Sequence, residues 1–239
     1  MSTKGLARIG GLLYLGVAVG GGFSEYVRSS ARVPGDAAAT AANVASHATL
    51  FQIAFATDLA DFVLFFGVGL VMYVIFRPVN APIALAMLVI NAVSVAVQAL
   101  NMLNHAGAML VATDPHLTAG LSAAGSQAIV LLLLESHRIG YLIAQIFFGL
   151  YLLPLGYLVY RSGYFPKSLG AILVAGCAGY VAGVAASFAS VGLESSVATY
   201  LGLVGGLAEI VFLVWLLVKG ANTTGSKSDL IRGGHAWTA

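Results

Sequence analysis

The chain has 239 residues, of which 59% are hydrophobic and only 8% charged, with a net charge of +2 and a mean hydropathy of +0.94. A soluble domain carries about 25% charged residues, so the composition excludes a soluble fold and implies an all-α, polytopic integral membrane helical bundle with no room for a separate catalytic domain. Basic residues lie in loops beside apolar segments rather than in a patch, which argues against a nucleic-acid partner, and the lone cysteine, Cys177, excludes an internal disulfide.

Roughly 20 apolar residues cross the hydrocarbon core, and six segments meet that length. The first, Leu6–Tyr26, follows Lys4 and Arg8 as the core of a signal peptide would. Its apolar run is long enough to span and no clear small-x-small cleavage site follows it, so it reads as a retained helix. An outer loop from Val27 to Thr49 then holds a turn at Pro34-Gly35-Asp36. Asp36 is placed to cap a short helix through the alanine-rich run up to His47. The second span is Leu50–Phe76 and the third is Pro82–Val111. A second outer helix is expected over Thr118–Leu134, ahead of the fourth span, His137–Tyr160. Leu169–Val191 and Val197–Val218 complete the set, giving a six-helix transmembrane domain over residues 1–222 and a polar tail over 223–239.

Lys4, Arg8, Arg77, Arg161, Lys167, Lys219, Lys227 and Arg232 fall on one side of this arrangement, and Arg28 and Arg32 on the other, with Arg138 near that border. The positive-inside rule therefore places both termini in the cytoplasm. Tyr73, Arg77 and Pro82 share the spacing Y-x3-R-x4-P with Tyr157, Arg161 and Pro166, a weak parallel repeat of two cytoplasmic turns. Gly16/Gly20, Gly179/Gly183 and Gly202/Gly206 are each four apart, the small-xxx-small spacing that lets helices approach closely in lipid.

Polar residues converge on four spans. On the third, Asn91, Ser94, Gln98, Asn101 and His105 share one helical face, which must point into the bundle because an amide exposed to lipid goes unsatisfied. Asp58 and Asp61 are one turn apart on the second span, roughly 12 and 16 Å from its outer start at 1.5 Å per residue. On the fourth, Glu135 and Arg138 are spaced to pair locally, and His137, Tyr141 and Gln145 form an i, i+4, i+8 line. Glu209 lies near the middle of the last span, where protonation or a hydrogen bond to the amide stripe of the third span would satisfy it. Carboxylates at membrane depth are costly and mark function by default. Beyond Arg8 and Glu25, which stand near the two ends of the first segment, Arg138 alone balances Asp58, Asp61, Glu209 and Glu135, the last just ahead of the fourth segment.

The leading expectation is a polar, ionisable pocket in the outer half of the bundle that binds or converts a lipophilic small molecule. A histidine or a carboxyl group there serves as general acid or base when tuned to the working pH. Its candidate residues are Asp58, Asp61, Gln98, Asn101, His105, Glu135, His137, Arg138, Tyr141, Gln145 and Glu209. His105 and His137 on adjacent antiparallel helices are weak candidates for a metal or a bis-histidine haem, because no ligand pair sits on one helix. Two alternatives compete: a non-enzymatic accessory or assembly subunit of a larger membrane complex, and a proton- or solute-coupled transporter.

The stretches ARIGGLLYL, VPGDAAATAANV, YVIFRPVN, FFGLYLLPLGYLVYRSGYFPKSLGAILV and WLLVKGAN cover nearly everything from Ala7 to Asn222. In them the chain resembles the domain-of-unknown-function family 4386, a group of bacterial multi-pass membrane proteins. The resemblance implies a helical bundle in the bacterial cytoplasmic (inner) membrane. It implies no established chemistry, so no catalytic residue is carried over.

Overall fold

The computed structural model describes residues 2–190 and 196–222, and every regular element among them is helical. In chain order the helices are α1 (Thr3–Ala31), α2 (Ala37–Ser46), α3 (Ala48–Phe76), α4 (Ala81–Thr113), α5 (Ala123–Ser162), α6 (Lys167–Phe188) and α7 (Ser196–Val218). All but α2 are long and apolar enough to cross a membrane. The last residue of the expected fifth span, Val191, and the tail 223–239 lie outside the described residues.

The short helix α2 forms as its cap residue dictates. Asp36 sits in an extended conformation and its Oδ1 accepts from the Ala39 amide at 2.9 Å, while Gly35 supplies the positive φ of the preceding turn. The expected break between an outer helix and the fourth span does not occur. A single 40-residue helix, α5, runs through both; at 1.5 Å per residue it is about 60 Å long. No glycine or proline lies between Gly125 and Gly140, and Arg138 bonds Glu135 across one turn at 2.9 Å, so the charged stretch continues the helix instead of interrupting it. The first helix also exceeds its expected end, carrying Arg28 in its last turn.

The chain forms two compact units, and α1, α3, α4 and α5 each contribute a stretch to both. Among the described residues, unit 1 takes in 2–15, 66–93, 145–190 and 196–222. Glycine sets its packing: a Cβ on Gly156 would lie 2.7 Å from the Gly170 carbonyl oxygen, and one on Gly179 2.7 Å from that of Leu201. These backbones touch, which only glycine permits, and the close approach supplies the van der Waals contact that holds helices together in lipid. Phe165 bridges Phe76 and Phe212 with ring centroids 5.9 Å apart on each side.

Unit 2 takes in Gly16–Phe65 and Ser94–Ala144. Its apolar core joins Val27, Val44, Phe51, Ala108, Val130 and Leu134, one or more from each of α1 to α5. Helix α2 is fastened to the end of α1 by Asn43, whose amide donates to the Ala31 carbonyl at 3.1 Å.

Candidate functional site

The polar face of α4 is buried along its whole length: Asn91, Ser94, Gln98, Asn101 and His105 all lie inside. Of those in unit 2, Asn101 and His105 bond across helices. Asn101 donates to the backbone carbonyl of His137 at 2.9 Å and to Gln98 Oε1 at 3.3 Å, and accepts from Asn104 at 3.0 Å. Its side chain fills the space that a Cβ on Gly140 would need. His105 Nε2 is 3.1 Å from the Phe51 carbonyl oxygen. A carbonyl can only accept, so Nε2 carries the proton and Nδ1 of the neutral ring is a bare acceptor. That Nδ1 is buried without a hydrogen-bond partner. The ring packs against Phe51 and Phe55 and meets the edge of His137, with centroids 5.3, 5.7 and 6.1 Å away.

The acids of unit 2 divide sharply. Asp58 pairs with Arg28, and both side chains are buried. Arg28 also reaches Glu25 at 3.3 Å on its own helix. Glu135 is bound on one oxygen by Arg32 and on the other by Arg138. Sequence reasoning missed Arg28 and Arg32 because it ended the first helix at Tyr26 and assigned both to a loop. Continuing that helix puts Ser24 and Arg28 four residues apart on one face, and there they bond to α3: Ser24 donates to the Ala54 carbonyl at 3.0 Å. The apparent excess of acid over base is thereby corrected at Asp58 and Glu135, and His105 and His137 are not their counter-groups.

Asp61 is different. It is 6% exposed, one turn along from Asp58, and its Oδ2 has no hydrogen-bond partner. Its carboxyl group lies directly on the backbone of Gly20, where any Cβ would collide with both oxygens. Close approach of α1 to α3 at this point therefore requires that glycine.

The remaining candidates fall elsewhere. Tyr141 is 38% exposed, so the line from His137 does not continue inward as one buried face. Gln145 and Glu209 belong to unit 1. There Glu209 accepts from the hydroxyls of Tyr14 and Tyr180, one on each oxygen, in place of the expected amides. Tyr180 lies across α7 because Gly205 has no Cβ to obstruct its ring. Among the described residues no three His, Cys, Asp or Glu side chains come together as metal ligands, and the histidine pair alone falls short of the four-ligand set that zinc takes in structural sites.

These features define a multi-pass helical membrane protein whose polar side chains face other helices. The chain belongs to the family DUF4386, a domain of unknown function, which it matches over residues 9–220. It is also similar to an uncharacterised protein of Archaeoglobus fulgidus, with 38% identity over 78 residues. That stretch is 33% of this chain and 44% of the archaeal protein, less than half of either. No solved structure matches the chain.

Proposed function

We propose that this protein binds a lipophilic small molecule through unit 2, with Asp61 and His105 as the groups that recognise it. The observation that carries the reading is the pair of buried, unpartnered acceptors, Asp61 Oδ2 and His105 Nδ1. Asp61 stands one turn from Asp58, which is matched to Arg28, just as Glu135 is matched to Arg32 and Arg138. Buried polar atoms in folded proteins have partners in the great majority of cases, and an exception calls for an explanation. A ligand that donates hydrogen bonds provides one. His137, at the edge of His105, and Asn101, bonded to the His137 carbonyl and to Gln98, are then the groups around the histidine end of the site.

The proposal includes orientation and location: a bacterial cytoplasmic membrane with both termini inside, as the distribution of Lys and Arg supports. Native mass spectrometry of the protein in mild detergent tests it. A bound small molecule that is lost in Asp61→Asn or His105→Phe is the expected result; a bare chain mass in every lipid environment tried sinks the idea.

A second reading, an accessory subunit of a larger membrane complex, draws support from the same geometry in another way. Arg28–Asp58 and Arg32–Glu135 join α1 to α3 and to α5, as structural pairs would. The same mass measurement separates the two, because a co-purifying polypeptide in place of a small molecule favours the subunit.

A further inference from the structure

Resting on that ligand-binding reading, we infer that Asp61 recognises an organic cation: the ligand is a lipophilic molecule with an ammonium-like charge that enters between α1 and α3. Charge supplies the first argument. Asp58 is matched by Arg28 and Glu135 by Arg32 and Arg138, which leaves Asp61 as the acid of unit 2 that is buried and has an unpartnered oxygen. Its neighbour one turn away is another acid, already committed to its arginine. A carboxylate in this position attracts positive charge, and a cation that is itself lipophilic loses less hydration on entering than an inorganic ion does.

Access supplies the second argument. Gly20, Gly21 and Gly22 follow one another on α1. Gly20 receives the carboxyl group directly, as described above. A Cβ on half-buried Gly21 would stand 3.7 Å from Asp61 Oδ2, in ordinary contact, and one on exposed Gly22 would meet nothing within 4 Å. Oδ2 itself is covered, and what lies beside it is α1 backbone at Gly20 and Gly21 with no side chain, so a small parting of α1 from α3 exposes it. Any side chain at Gly21 would shield it, whereas one at Gly22 would point away. The unpartnered oxygen and the side-chain-free stretch of α1 coincide at one atom, Oδ2.

The probe is tritiated dodecylamine, a lipophilic amine that is an ammonium ion at neutral pH and donates hydrogen bonds, in equilibrium dialysis against the full chain in mild detergent. The expected result is saturable binding that neutral dodecanol does not compete for. Asp61→Asn weakens it about tenfold or more, the scale of one factor of ten in Kd. Gly21→Val leaves the carboxyl intact, fills the approach and weakens binding similarly, while Gly22→Val binds as the parent does. Gel filtration and thermal unfolding of each variant identify any that fails to fold, and the Gly21/Gly22 contrast then decides alone. Equal binding by Gly21→Val and Gly22→Val, or by Asp61→Asn and the parent, overturns the inference. If the probe does not bind but native mass spectrometry finds a neutral adduct dependent on Asp61 or His105, the cation is wrong and the ligand reading stands; if neither is seen, both fall.

Discussion

The two units solve the same problem, holding helices together in lipid, by different means. Unit 1 relies on backbone contact: Gly156 against Gly170 and Gly179 against Leu201 bring helices so close that no side chain fits between them. Its one carboxyl group at membrane depth, Glu209, has a tyrosine hydroxyl on each oxygen. Unit 2 relies on charge: arginines from the end of α1 hold Asp58 on α3 and Glu135 on α5. In unit 1, then, acid and partner are matched; in unit 2 the matching stops one residue short, at Asp61. A polar group that the fold leaves unmatched, within a region that otherwise matches its charges, is a stronger pointer to function than a buried charge alone.

That contrast breaks most readily at Arg28. Arg28→Leu leaves Asp58 buried without its cation and is expected to destabilise the protein by about 3–5 kcal/mol, the cost of removing one partner of a buried pair. Replacing both, Arg28→Leu with Asp58→Leu, should recover most of that loss in thermal unfolding. If the single and double variants unfold alike, the pair is not what holds α1 to α3. In unit 1 the sensitive positions are glycines. Gly156→Ala would press a methyl group onto a backbone oxygen that cannot step aside, a strain of about 1–3 kcal/mol; a wild-type unfolding curve would show that the packing there has slack. Smaller again is the cap of α2. Asp36→Ala should cost about 1 kcal/mol and speed amide exchange in Ala37–Ser46 while leaving α6 and α7 as they are. Exchange rising evenly across the chain would mean that α2 is not an independent local element.

Much of the frame was legible in the sequence, because the bilayer demands long apolar segments and tolerates little else. Six spans, the capped helix α2 and the buried face of α4 all follow from length, the Asp36 turn and the spacing of Asn91, Gln98 and His105. What was not legible was where helices run past the apolar stretch. Arg28 and Glu135 look like loop residues by hydropathy, yet each lies on a helix that continues because its charge is matched across the bundle. Pairing between α1 and α3 or α5 is a tertiary fact, and no local pattern announces it. Glu209 teaches the same lesson: Tyr14 and Tyr180 are distant in sequence, and neither is marked by spacing as its partner. The acid surplus read from the sequence was real in outline but too broad, and the structure narrows it from four carboxyl groups to Asp61.

The claim at the centre of this account is that Asp58 is structural and Asp61 is not. Thermal unfolding of Asp58→Asn and Asp61→Asn, side by side in the same detergent without added ligand, tests it most directly. A clear drop in Tm is expected for Asp58→Asn, which leaves buried Arg28 with only the exposed Glu25, and an unchanged or raised Tm for Asp61→Asn, which removes a charge that nothing in the fold satisfies. An equal loss of stability in the two variants would contradict it.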